Sequence, residues 1–185
     1  MVLTKNNFLS FDIDKKVIVF PTDTVYGIGC KYQDIESVKK IYDIKNRDYS
    51  KPMALLCYSI EQVKQIVAEE VKLDSDLTKH WPGKLTLIYK KNKNVSDIIT
   101  ANKDTVGVRI PNNAIALNLL KKHGPMVVTS LNESNEPAIT KFNDTLKYKD
   151  QVDYIIDGGD LSNKPSTVYD TINKLVLRQG DIEIG

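Results

Sequence analysis

Four groups of residues have the types and spacing to do chemistry. In Pro21-Thr22-Asp23-Thr24-Val25-Tyr26-Gly27, two hydroxyls, a carboxylate and a phenol directly follow the apolar run Val17 to Phe20. Ligands of open α/β sheets lie at the carboxyl ends of strands, so these groups could line a pocket. A turn in which Thr and Asp bond their own backbone would use the same residues. In Lys45-Asn46-Arg47-Asp48-Tyr49-Ser50-Lys51, three cations fall within seven residues. They could surround a polyphosphate without a glycine-rich loop, or compensate a helix dipole. Arg109 precedes Ile110 and Pro111 at the end of a strand pattern, and Gly107 would let a ligand approach the backbone; the alternative for Arg109 is a surface ion pair, which is worth little. Ser130-Leu131-Asn132 brings a hydroxyl and an amide out of another strand end, where they could serve a ligand or a turn.

Arginine is scarce enough to be informative. Of 26 basic side chains only Arg47, Arg109 and Arg178 are arginine, and 23 are lysine. Compositional bias accounts for the scarcity. It leaves three planar forks, each able to hold a carboxylate or phosphate through two N–H groups, as the short list for anion recognition.

Other chemistries are poorly supplied. Gly27-Ile28-Gly29 begins like a dinucleotide fingerprint but has Tyr32 at the third glycine, and no Walker or H-E-x-x-H pattern occurs. Two histidines, His80 and His123, are too few for most metal sites or a histidine base with partners, and both look like helix C-terminal residues. Cys30 and Cys57 lack C-x-x-C spacing and are expected to be reduced, packed thiols. A net charge of +2 does not suggest a dedicated nucleic-acid protein, and the lysines at 90, 91 and 93 and from 141 to 149 suit solvated faces. No apolar run approaches a membrane span, and the first residues lack the apolar core of a signal peptide, which together imply a cytoplasmic protein.

The elements that must position these residues alternate between short apolar runs and helical periods, so an α/β fold is expected. Strands are expected at Val17 to Phe20, Met53 to Cys57, Leu85 to Lys90, Thr105 to Ile110 and Met126 to Thr129, with short ones at 153–156, 167–169 and 175–177. Asp34 should cap a helix bearing Ile35, Val38, Ile41 and Tyr42 on one face. Ser59-Ile60-Glu61-Gln62 is a capping box, and helices are also expected at 74–80, 114–123 and 142–148. No linker or repeat divides the chain, so residues 1–185 are expected to form a single domain.

Taken together the segments resemble the YrdC/TsaC family, the threonylcarbamoyl-AMP synthases. PTDTVYGIG at 21–29, KNR with KP at 45–52, WPGKLT at 81–86, TVGVRIP at 105–111, TSLN at 129–132, PSTVYD at 165–170 and LRQG at 177–180 occur in the family's order over nearly the whole chain. The resemblance implies a twisted open mixed sheet with flanking helices around a large basic concave cavity, in the short single-domain form. It implies an enzyme that makes threonylcarbamoyl-AMP and pyrophosphate from L-threonine, bicarbonate or CO2, and ATP, with Mg2+ inferred from ATP use. The product would feed a downstream transferase complex that modifies tRNA. Carried over residue by residue, Thr24, Arg109, Ser130 and Ser166 match threonine-binding positions. Lys45, Arg47, Lys51, Thr105, Asn132, Thr140 and Arg178 match positions around ATP. No acid or base is assigned, and metal ligands are not indicated.

The chain departs from the family pattern at Lys84, where proline is usual, at Leu131 in place of a small residue, and at Asn135 in place of a common glycine. Leu56 falls where many members place histidine, and the segment from Asp170 to Arg178 is about two residues short. The same resemblance admits a second class, an RNA-binding or ribosome-maturation protein of the YrdC/YciO type whose lysines bind the phosphates of double-stranded RNA or tRNA.

Overall fold

The computed structural model describes residues 1–185. In chain order its elements are β1 (Val2–Leu3), a 3-10 turn (Phe8–Ser10), β2 (Ile18–Phe20), β3 (Gly27–Lys31), α1 (Ile35–Ile44), β4 (Ala54–Leu56), α2 (Ile60–Ile66) and α3 (Ser75–Thr78). There follow β5 (Leu85–Lys90), α4 (Asp97–Thr100), β6 (Thr105–Arg109), α5 (Ala114–His123), β7 (Met126–Ser130), α6 (Phe142–Thr145), a 3-10 turn (Leu146–Tyr148), β8 (Tyr154–Ile156), β9 (Thr167–Asp170) and β10 (Leu175–Arg178). All ten strands join one open sheet in the order β1-β8-β2-β3-β7-β4-β6-β5-β9-β10. Pairing is mixed: β2, β3, β7 and β4 run antiparallel in succession, whereas β4 with β6 and β5 with β9 are parallel.

Strand alternation divides the core cleanly, because successive side chains point to opposite faces. Val19, Leu55, Val127 and Ile155 enter one apolar cluster with Val38, Ile41 and Tyr42 of α1, Val63 and Ile66 of α2, and Ile99 of α4. Their neighbours Ile18, Phe20, Leu56, Met126, Val128 and Ile156 enter a second, smaller cluster with Ala116, Leu119 and Leu120 of α5 and with Phe8. The run Val17 to Phe20 is continuously apolar because both its faces are covered. The second face is covered in its apolar cluster by α5, the first 3-10 turn and Ile13, and the part they leave is the floor of the cavity described below.

Half of the expected capping box forms, with Ser59 Oγ accepting from Gln62 N at 3.3 Å, while Gln62 Oε1 accepts from Tyr58 N at 2.7 Å and not from Ser59 N; α5 runs over Ala114–His123 with Gly124 at φ 84° as its stop. Asp34 differs from expectation. It stands at the N-cap of α1 but makes no side-chain cap bond, because its carboxylate accepts instead from Lys15 N at 2.8 Å. The largest difference is β3, a central strand where the glycines suggested only a polar segment and a broken fingerprint. Gly29 lies opposite Val128 of β7, and a Cβ there would stand 2.5 Å from Val127 O. Glycine is required by that close approach of backbone, not by turn chemistry. Cys30 and Cys57 are both free and buried, and burial pushes the Cys30 thiol up to about 12, so it stays protonated and inert.

Candidate active site

Strand ends supply the walls of one cavity. Beyond β2 the chain turns through Thr22, Asp23 and Thr24, and the turn is held by its own hydroxyls. Thr22 Oγ1 donates to Val25 O at 2.7 Å and lies 2.9 Å from Thr24 Oγ1. Since the Thr22 proton is committed to that carbonyl, Thr24 must donate to Thr22. Arg109 reaches the same turn from the end of β6. Its Nη1 donates to Thr24 Oγ1 at 3.2 Å, its Nη2 to Asp23 Oδ1, and its Nε to Gly83 O at 2.9 Å. The turn reading holds, and the pocket reading holds for Thr22, Thr24 and Tyr26 but not for Asp23, which lies outside the lining: the turn's bonds are what present Thr24.

Arg178 enters from the opposite wall. A register shift lies between Val176 and Arg178, so Val176 pairs with Tyr169 but Arg178 pairs with Val168. Residues opposed in an antiparallel pair share a face, and Val168 faces the cavity. The bulge thus turns Arg178 to that face. There its Nε donates to Ser166 O at 2.9 Å and its Nη2 to Ser166 Oγ at 3.1 Å, while Ser166 Oγ lies 2.8 Å from Thr86 Oγ1 of β5. Arg47, after α1, donates from Nη2 to Pro52 O at 2.8 Å and from Nε to Lys51 O at 3.3 Å. These bonds hook residues 47–52 against the start of β4. Burial lowers all three guanidiniums from their ordinary value, and the charge of Asp23 opposes that effect at Arg109.

The cavity so enclosed has a volume of about 270 Å³. Among the 21 residues lining it are all three arginines and not one lysine, aspartate or glutamate. Val128, Ala54, Gly107 and Ile88 contribute an apolar floor from four neighbouring strands. The four sequence-expected threonine positions, Thr24, Arg109, Ser130 and Ser166, all line it, together with Arg47 and Arg178.

Residues 13–180 match the Sua5/YciO/YrdC family, described as "Telomere recombination". The chain belongs to this family. A curated relative, the threonylcarbamoyl-AMP synthase of Pyrococcus abyssi, is 34% identical over 176 residues, covering 91% of this chain and 52% of the relative. The solved structure of P. abyssi Sua5 complexed with L-threonine superposes with a TM-score of 0.89 at 31% identity, over 97% of this chain and 57% of that one. The chain thus spans about half the length of these relatives. Escherichia coli YciO, an uncharacterized protein, is 33% identical over 89% of this chain and 82% of its own, and its crystal structure superposes with a TM-score of 0.81.

Within the family frame, the remaining expected residues lie off the cavity lining. Lys45 is 1% exposed and turns inward from the C-terminus of α1. Its Nζ donates to Ser130 O at 2.5 Å, Asn132 O at 2.8 Å and Asn132 Oδ1 at 2.8 Å. It therefore braces the turn that carries Ser130 and presents no charge to the cavity. Burial, with Arg47 nearby, pushes this lysine down to about 7. Asn132 spends its amide inside the same turn, accepting also from Ser130 Oγ at 2.8 Å and donating to Glu136 O at 2.5 Å. Lys51 is exposed beside Pro52, Thr140 is outside the lining, and Thr105 borders a separate pocket with Asp170 and Asn173.

The family departures also find places. Asn135 has φ 72°, a left-handed conformation that asparagine tolerates where glycine is usual. Leu131 is fully buried in the larger cluster, and Lys84 ties Asn163 and Asp181 together at 3.0 Å each. Leu56 lines the cavity in register with Arg109. One residue the sequence motifs did not mark as functional, Thr86, emerges as a site part. Thr86 lay inside WPGKLT, and only its pairing with Val168 reveals its face.

Proposed function

We propose that this chain is an L-threonylcarbamoyladenylate synthase, a nucleotidyltransferase joining L-threonine, bicarbonate or CO2, and ATP with release of pyrophosphate. The observation that carries the reading is the gathering of all three arginines, without any lysine or acid, in one cavity lining. An amino acid and a nucleotide together bring one carboxylate and a polyphosphate, and planar forks suit both. The family membership and the threonine complex of P. abyssi Sua5 support the amino-acid identity.

In this reading Arg109 holds the threonine carboxylate. Thr24 and Ser130 have spent their protons on Thr22 and Asn132, so toward a ligand they offer lone pairs, which suit the amine and hydroxyl of threonine. Ser166 closes that end. Arg47 and Arg178, with Lys51 reaching in from outside, take the phosphates of ATP. The threonine ammonium first gives a proton to solvent; the free amine nitrogen then bonds to the carbon of CO2 and gives a second proton to solvent. An oxygen of the resulting carbamate then attacks the α-phosphorus, and the bond to pyrophosphate breaks. Carbamates decompose in water, so enclosure is part of the catalysis. No side chain is assigned as acid or base; placement and charge carry the transfer. Since the lining has no carboxylate and no cluster of three or more metal-binding side chains is present, Mg2+ would arrive on the nucleotide and be held by its phosphates. The product would serve tRNA threonylcarbamoyladenosine formation by a downstream transferase in the cytoplasm; no helix is long and apolar enough to cross a membrane.

The test is incubation with ATP, threonine and bicarbonate, with mass detection of the adenylate and a count of pyrophosphate released. Pyrophosphate that forms without both threonine and bicarbonate refutes the synthase. Salt-sensitive RNA affinity indifferent to threonine would establish the RNA-binding alternative in its place.

A further inference from the structure

The three arginines are not electrostatically equivalent. Arg109 is the only one with a carboxylate within ion-pair distance, and both partners are almost out of water, at 7% and 10% side-chain exposure. Arg47 bonds only backbone carbonyls, and Arg178 only Ser166. Asp23 is also an uneconomical way to make one hydrogen bond. Its Oδ2 is buried without any partner, and an asparagine or threonine could accept from Nη2 without leaving a charged oxygen orphaned. What only the carboxylate adds is charge. Asp23 itself is absent from the cavity lining, although Thr22 and Thr24 on either side of it are present. It acts on a ligand through Arg109.

Building on the threonine and ATP reading, we propose that Asp23 partitions the cavity by charge. It neutralises Arg109 from inside the wall, so that end accepts a net-neutral zwitterion and is disfavoured for polyphosphate, which is left to the uncompensated Arg47 and Arg178. A cavity of about 270 Å³ with three bare guanidiniums would let pyrophosphate settle on any pair of them, including the amino-acid end. Arg178 and Arg109 line the same cavity, so they would make an attractive pair for that anion. Asp23 is thus a positioning and specificity residue, and its neighbour Thr24 remains free to meet the substrate.

The experiment is calorimetric titration of the full chain with inorganic pyrophosphate and with L-threonine, alone and together, for the unaltered protein, Asp23→Asn and Asp23→Glu. In the unaltered protein, saturating pyrophosphate should leave the threonine Kd within about twofold. Asp23→Asn should bind pyrophosphate about tenfold or more tightly, since a charge in contact with Arg109 is gone, and pyrophosphate should now displace threonine. Asp23→Glu keeps the charge and should behave as the unaltered protein. A tighter anion affinity is not what structural damage produces. Displacement of threonine in the unaltered protein overturns the partition, and that arm decides even if Asp23→Asn does not fold. Unchanged pyrophosphate affinity in folded Asp23→Asn also overturns it. A protein that binds pyrophosphate but never threonine refutes the reading of the site, while the pyrophosphate comparison still judges Asp23.

Discussion

Replacing Lys45 with methionine isolates a lysine buried at 1% exposure. Its Nζ has three acceptors at 2.5 to 2.8 Å, and only the ammonium form has three N–H groups to give them. Burial nevertheless lowers it from 10.5 to about 7, so the unfolded chain holds this proton more tightly than the folded one. Between pH 7 and 10.5 the unfolded state binds more protons, and stability from this group rises with pH. The contribution is complete above 10.5 and is lost as pH falls to about 7. Integrated from pH 7 to 9, it amounts to about 2 kcal/mol. In Lys45→Met that pH dependence disappears, while the lost bonds and the relieved burial of charge oppose one another. The slope is therefore the readout, and the absolute difference at one pH is not. Urea unfolding of both proteins at pH 6, 7, 8 and 9 gives it directly. The stability of the unaltered protein relative to Lys45→Met should improve by about 2 kcal/mol from pH 7 to 9. A difference flat across that range would show that burial does not lower Lys45, its three acceptors holding the ammonium form instead, and the predicted pH dependence would be refuted.

Arg109→Lys should raise the threonine Kd by about tenfold or more while changing ATP affinity much less, and Arg47→Lys should do the reverse, because a lysine cannot reproduce either set of fork contacts; equal effects on both ligands in calorimetry would defeat the division. Gly29→Ala places a Cβ 2.5 Å from Val127 O and should destabilise by about 1–3 kcal/mol in thermal unfolding, whereas an unchanged Tm would mean that the sheet yields there at no cost. Thr86→Val removes the hydroxyl 2.8 Å from Ser166 Oγ and should lower kcat/KM for adenylate formation several-fold, about 1 kcal/mol; unaltered kinetics would take Thr86 out of the site.

Local pattern carried much of the fold. The Ser59 cap, the glycine stop at Gly124 and the apolar runs around β2, β4 and β7 are written in the types and period of neighbouring side chains, and the structure keeps them. Pattern failed at β3, because glycines weaken a strand signal and their reason lies on β7, about a hundred residues away. It also left the partners of charged side chains undetermined.

The scarcity of arginine is a property of the sequence alone, and so are the motifs that place the chain in its family. Tertiary structure decided how those side chains are used. The bulge in β10 turns Arg178 to the cavity. Lys45, grouped with Arg47 by spacing, goes inward to hold the Ser130 turn. Asp23, 86 positions from Arg109, cancels its charge inside the wall. Residue type and period are local quantities, and a chain segment carries them wherever it goes. Which charge is compensated, and which face a strand end presents, depends on groups brought together only when the sheet closes its pairings.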